Sequence, residues 1–180
     1  MRIIHVAALL AAATATPAFA QEAPATFSGG HVEAIAGYDS VHAGGDSSDG
    51  VLYGIGAGYD FRRGNAVFGI EGEAAESTTG DCAGGTCVDA SRDFYIGGRI
   101  GAVVSPSVLL YAKAGYTNAR VEVSSGGVSA GTTFDGIRGG AGLEWAIPNS
   151  KFSLRTEYRY SNYQDGLSRH QGVVGLGFRF

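Results

Sequence analysis

The sequence predicts an all-β fold, an eight-stranded antiparallel transmembrane β-barrel. Three observations predict it. Period-two alternation recurs in eight successive runs, while helical periodicity is nearly absent beyond residue 20. The connections between runs alternate between short and long. Charged residues gather on one face of the runs, and the opposite face carries none through the middle of each run.

The first 20 residues read as a signal peptide. Arg2 supplies the positive end, Ile3 to Ala15 an apolar stretch, and Ala18-Phe19-Ala20 the small residues at the two positions a signal peptidase reads. Cleavage before Gln21 leaves residues 21–28 as a short N-terminal segment and 29–180 as one barrel domain. The exported chain has no apolar stretch of about 18 residues, so membrane contact must come from strands. The formal charge is −4, one unit more negative once Arg2 is gone. That balance argues against nucleic acid as a partner, because phosphate recognition needs a basic patch.

The runs follow in order. The first, His31 to Ser40, places Glu33 on its polar face. The second, Val51 to Phe61, sets Val51, Tyr53, Ile55, Ala57, Tyr59 and Phe61 against Leu52, Gly54, Gly56, Gly58 and Asp60. In the third, Ala66 to Glu76, Phe68 and Ile70 oppose Glu71 and Glu73. The fourth, Arg92 to Val104, contributes Arg99, and the fifth, Val108 to Ala119, contributes Lys113. In the sixth, Thr132 to Ile147, Ile137, Ala141, Leu143 and Trp145 oppose Arg138 and Glu144. The seventh, Lys151 to Tyr163, separates Phe152, Leu154, Tyr158 and Tyr160 from Arg155, Glu157 and Arg159. The eighth, His170 to Phe180, alternates Val174, Leu176, Phe178 and Phe180 with Val173, Gly175, Gly177 and Arg179. All four prolines lie outside these runs, as an uninterrupted hydrogen-bond ladder requires.

Arg62–Asn65, Ser105–Ser107 and Pro148–Ser150 are tight turns. Val41–Gly50, Ser77–Ser91, Arg120–Gly131 and Asn162–Arg169 are polar segments expected to form surface-exposed loops at the other rim. An even strand count puts both termini at the short-turn rim. Tyr59, Phe61, Phe68, Trp145, Phe152, Phe178 and Phe180 then fall near that rim, and Tyr38, Tyr53, Phe94, Tyr116, Tyr158 and Tyr160 near the other. Two aromatic belts are what a membrane-spanning barrel needs at its two interfaces.

The polar faces carry Glu33, Asp60, Glu71, Glu73, Glu144 and Glu157 against Arg99, Lys113, Arg138, Arg155, Arg159 and Arg179. A narrow interior holds such groups only if they pair, because an isolated buried charge costs many kcal/mol. This equality predicts a self-neutralising interior and an apolar, lipid-facing wall; a soluble barrel would invert the two. The same pairing explains Glu71 and Glu73 better than a glycosidase-like carboxylate pair.

Cys82 and Cys87 sit in an exported chain, around a flexible Ala-Gly-Gly-Thr spacer. A disulfide there would be worth about 2 kcal/mol, mostly as local pinning. Free thiols are the alternative, and a metal site would need further ligands that the neighbouring sequence does not offer. His31, His42 and His170 have no metal-ligand spacing and read as exposed rim or loop residues. No cofactor is expected. A lipid-active enzyme would use Ser168 with His170, oriented by Glu157 or Asp165, but residues two apart on a strand place a nucleophile and its base poorly. A small-ligand-binding barrel is the other alternative, and it lacks convergent polar groups.

Leu109-Leu110-Tyr111-Ala112-Lys113-Ala114-Gly115-Tyr116, Arg155-Thr156-Glu157-Tyr158-Arg159-Tyr160 and the glycine-rich last run ending in Phe180 resemble the small bacterial outer-membrane β-barrel family of porin-like, opacity and OmpA-barrel type proteins. The resemblance covers essentially all of residues 21–180 and is specific for architecture, not activity. It implies the outer membrane of a Gram-negative bacterium, with outer-membrane lipid as surroundings. It implies Phe180 as a C-terminal insertion signal read by the barrel-assembly machinery, and an extracellular partner for the loops. No wall-anchoring domain is expected after Phe180. The role implied is structural and surface-interacting, around a side-chain-filled lumen with at most minor porin-like conductance.

Overall fold

The computed structural model describes residues 27–43, 46–83, 86–125 and 128–180. Residues 1–20, where a signal peptide is expected, and residues 21–26 therefore fall outside the described residues, as do residues 44–45, 84–85 and 126–127.

The strands are β1 (Gly29–Ala43), β2 (Asp46–Arg63), β3 (Ala66–Ser77), β4 (Gly80–Ala83), β5 (Thr86–Ser105), β6 (Val108–Ser125), β7 (Val128–Ala146), β8 (Phe152–Tyr163) and β9 (Ser168–Arg179). Both β3 and β4 pair with β5, so the two are halves of one stave interrupted at residues 78–79. Every neighbour in the sheet is antiparallel, and β1 pairs with β9 from His31–Arg179 to His42–Ser168. The sheet thus closes on itself as an eight-stave barrel. Closure leaves no strand edge within the wall, the condition for placing β-structure in lipid.

The short turns form as the sequence dictates. Gly64 and Asn149 take φ values of +61° and +59°, the left-handed conformation that tight reversals between twisted strands demand. The long connections depart from expectation. Much of Val41–Gly50, Ser77–Ser91 and Arg120–Gly131 is paired strand, not loop: the β1–β2 ladder runs on to Ala43–Asp46 and the β6–β7 ladder to Ser125–Val128. Ser, Thr and Gly in those segments read as loop formers, but they also suit strands exposed on both faces, where no apolar face is needed. Besides the break at residues 78–79, Gln164–Gly166, a single 3-10 turn, is the irregular connection among the described residues at that rim.

Burial alternates along each stave. In β8 every second residue from Ser153 to Tyr163 is buried while its neighbours are exposed. The exposed set is apolar: Ile55 and Ile70 are each 67% exposed and Ile137 72%. Between the two rings of Tyr, Phe and Trp the described wall carries no charged side chain, while Glu33, Glu71, Arg99, Arg138 and Arg159 are buried inside. This rules out the soluble alternative, because the solvent-facing wall of a soluble barrel would be polar.

Two apolar clusters share the lumen with the charges. Ile35, Leu52, Ala75 and Val173 pack together on one side. Phe27, Val67, Val103, Leu109 and Tyr111 pack at the short-turn end.

Candidate functional site: the charged lumen

Three tiers of ion pairs fill the barrel. Nearest the short turns, Arg99 binds Asp60 through both Nε (2.8 Å) and Nη2, and reaches Glu144 through Nη1 at 3.1 Å. Arg179 bridges the same two acids at 2.7 Å and 2.9 Å. His31 Nδ1 lies 3.4 Å from Asp60.

The middle tier is denser. Lys113 Nζ contacts Glu71, Glu73 and Glu157 at 2.8, 2.6 and 3.0 Å. Arg155 reaches Glu33 at 2.7 Å, Glu71 at 3.3 Å and Glu157 at 2.5 Å. Arg159 binds Glu73 at 2.8 Å and donates from Nε to Glu157. The Tyr111 hydroxyl donates to Glu157 at 2.6 Å and receives the Nε–H of Arg155. Four carboxylates here face three cations, and Arg155 is Glu33's ion-pair partner.

At the far end of the lumen, Arg138 binds Asp93 at 2.5 Å, and Arg169 reaches Asp93 at 3.2 Å and grips Asp39 through Nε at 2.5 Å. Ser77 and Thr79 donate to Asp39 at 2.6 and 2.9 Å. Thr117 donates to Asp93 and Ser161 accepts from Arg138.

The sequence places these groups together because inward positions share one parity on each stave. Glycine makes the room. A Cβ on Gly142 would lie 2.5 Å from the Tyr111 hydroxyl, and one on Gly97 would lie 2.1 Å from that of Tyr95. The hydroxyl ends of the two rings therefore sit against bare backbone. Held this way, Tyr95 faces Lys113 at 4.5 Å and Tyr111 faces Arg155 at 4.8 Å, adding cation–π attraction in a site where water is scarce.

All twelve charged residues named from the sequence lie within these tiers; Arg179 is the most open, its side chain 15% exposed. The structure adds Asp39, Asp93 and Arg169, so among the described residues the lumen holds eight acids and seven Lys or Arg, not six of each. Asp39 and Asp93 share the inward parity of Glu33 and Arg99, a signal present in the sequence. Arg169 lies one residue beyond the predicted eighth run. His31 is corrected: it is buried beside Asp60, not exposed, because its odd position on β1 faces the lumen. His42 is exposed, and His170 lies on the outer face with Nδ1 at 2.6 Å from the Tyr158 hydroxyl.

Glu157 faces the lumen and is held by Lys113, Arg155 and Arg159, so it cannot orient His170 across the wall. Asp165's side chain lies outside the described residues. Among the described residues no three metal-ligating side chains converge. Beyond the wall, Asp49 is held below the usual carboxylate range by hydrogen bonds from Ser40 and Tyr38. The Cys82 and Cys87 side chains lie outside the described residues, but the backbone sets the two residues directly opposite each other across β4 and β5. Phe180 is 66% exposed at the barrel seam, its N–H donating to Gly30 at 3.0 Å.

A closed eight-stave barrel with an apolar outer wall, two aromatic rings and a charge-paired lumen defines a small transmembrane β-barrel. Residues 6–180 match the family model described as the outer membrane protein beta-barrel domain. A 22 kDa outer membrane protein of Rhizobium leguminosarum bv. viciae is 33% identical over 178 residues, covering 89% of this chain and 83% of that protein. A 25 kDa outer-membrane immunogenic protein of Brucella ovis is 29% identical, covering 69% of this chain and 61% of its own length. Neisserial surface protein A superposes with a TM-score of 0.63 at 22% identity, covering 85% of this chain and 98% of that one. Ail of Yersinia pestis, in complex with the heparin analogue sucrose octasulfate, gives 0.62 at 23%, covering 84% and 99%. The chain belongs to the outer-membrane β-barrel domain family, and its place is the outer membrane of a Gram-negative bacterium.

Proposed function

We propose that the protein is a non-catalytic envelope barrel that contributes to the stability of the outer membrane and presents its protruding hairpins to partners outside the cell. One observation carries this reading: the three tiers of paired charges occupy the lumen, with Arg159 only 1% exposed. Large solutes have no route past such tiers, so any conductance is small and needs the network to rearrange. Planar-bilayer recording of the refolded protein is expected to show no large steady channel, with heat-dependent gel mobility certifying the fold. Steady porin-sized conductance would overturn the filled-lumen reading.

The crown is further stiffened, in this proposal, by a Cys82–Cys87 disulfide. Directly opposed residues of an antiparallel pair have Cα atoms about 4.5–5.5 Å apart, within the range a disulfide spans. Alkylation of the unreduced protein is expected to add nothing, and alkylation after reduction to add two groups; adducts before reduction would refute the bond.

Phe180 is proposed as the residue that the assembly machinery reads. Its replacement by alanine is expected to lower the folded fraction reaching the membrane in cells, while refolding of the purified chain in detergent stays near wild type. Equal loss in both settings would mean that the residue acts only through stability.

A further inference from the structure

Two histidines far apart in the chain meet on the outer face of the seam that closes the barrel. His42 is on β1 and His170 on β9. Ser40 of β1 pairs with His170, and His42 pairs with Ser168 on the last rung of that ladder. The two side chains are therefore diagonal neighbours on one face. Their ring centres lie 5.4 Å apart at an interplanar angle of 74°. Spacing along the sequence carries no sign of this pair, because only barrel closure joins the first stave to the last.

The separation fits a shared metal ion. Two imidazoles on one tetrahedral zinc, with Zn–N about 2.1 Å, hold their ring centres roughly 5 Å apart. The surroundings support the same use. His170 Nδ1 lies 2.6 Å from the Tyr158 hydroxyl, and its ring packs on Tyr160 with centres 4.9 Å apart. The ring is thus oriented. With Nδ1–H donating to Tyr158, the Nε2 lone pair is left for a ligand bond, which is what a metal-bound histidine needs from its other nitrogen. His42 is exposed, so its ring is free to turn toward the ion. Asp49, paired with Ser40 and diagonal to His42, adds negative charge on the same face. Arg169, next to His170 in the chain, points into the lumen and grips Asp39, so its charge is directed away from the pair.

We propose that His42 and His170 bind one divalent transition-metal ion of the zinc type, and that the ion clips β1 to β9 at the outer end of the seam. Imidazole nitrogen selects such ions over calcium and magnesium, which prefer oxygen donors. Two protein nitrogens leave two corners of a tetrahedron to water, so the ion exchanges readily. The position gives it a mechanical effect. The β1–β9 ladder ends at the His42 rung, while β1 continues beside β2 to Ala43–Asp46. Fraying of β9 from β1 starts at that rung. An ion held by both staves binds the closed seam and not the frayed one, so it stabilises the closed barrel by mass action.

The test is calorimetric titration of the untagged barrel, in detergent micelles, with zinc chloride. One saturable site per chain is expected, and an equal concentration of calcium chloride should not compete. His42→Ala and His170→Ala should each weaken zinc at least tenfold while heat-dependent gel mobility is retained, since both side chains lie on the outer face. His170→Phe keeps a ring against Tyr160 and should lose zinc to the same extent, which separates a ligand from an aromatic contact. Tyr158→Phe removes the partner of Nδ1 and should weaken zinc about tenfold. Zinc should also raise the urea midpoint of the wild-type barrel and leave that of the double variant, His42→Ala with His170→Ala, where it was. Absent saturation, binding that survives His42→Ala or His170→Phe, displacement by calcium, one zinc per two barrels, or a wild-type midpoint that zinc does not move would overturn the proposal.

Discussion

Arg155→Met is expected to lower the stability of the refolded barrel by about 3–5 kcal/mol, the usual consequence of removing one partner from a buried charge cluster. The middle tier explains the size. Arg155 is Glu33's ion-pair partner and also serves Glu71, Glu157 and the Tyr111 hydroxyl. Without it, Lys113 and Arg159 face four carboxylates. Methionine fills most of the volume, so packing loss is a minor part of the effect and the uncompensated charge the major one. Adding Glu33→Gln removes the carboxylate that loses its only ion-pair contact among the described residues and is expected to restore about half the loss. A coupling of that size between residues 2.7 Å apart is what a double-mutant cycle resolves. Urea titration of heat-dependent gel mobility in detergent gives the midpoints. If Arg155→Met unfolds at the wild-type midpoint, the tier is not holding the barrel together; if the double variant falls further, Glu33 is paired elsewhere.

The same residues show how much the sequence discloses. Parity alone sorts β8: Arg155, Glu157 and Arg159 fall inside, Leu154 and Tyr158 outside, because a strand has two faces and the barrel makes one of them polar. The number of staves, the order of turns and the two aromatic rings follow from the same alternation. What parity does not disclose is how far each hairpin continues. The hairpin extensions are rich in Ser, Thr and Gly, so the apolar signal stops while the ladder does not, and Arg169 was lost at such a boundary. Nor does parity show that Leu52, Val67 and Leu109, all on inward positions, gather into apolar clusters rather than scatter. That depends on neighbours across the lumen, distant in sequence. Phe27 carried no signal, since it precedes the first alternating run.

Phe27→Ala is expected to destabilise the barrel and to open its short-turn mouth to water. Phe27 is 0% exposed and packs on Val67, Val103, Leu109 and Tyr111, with the Arg179 guanidinium 5.9 Å from its ring centre. Its φ is +65°, a left-handed conformation uncommon for a bulky residue. Two effects of opposite sign compete. The strained backbone costs about 1–3 kcal/mol, and it persists only because the surroundings fix the residue there. Removing a buried phenylalanine ring costs roughly 3–5 kcal/mol. Alanine keeps most of the strain and loses the ring, so it should be destabilising by close to the full burial cost. Phe27→Gly loses the ring but relaxes the backbone, and should be milder by about 1 kcal/mol. That order, alanine worse than glycine, is the reverse of what a helix or strand interior gives and is specific to a residue held at positive φ. The ring also stands where periplasmic water would enter. Its loss exposes Arg179, Asp60 and Glu144 from below, so either variant should raise single-channel conductance above the wild-type background while heat-dependent mobility is retained. Unchanged conductance with a folded variant would mean that the ion-pair tiers, not the ring, set the barrier; alanine and glycine variants of equal stability would mean that the strained backbone contributes nothing to the choice.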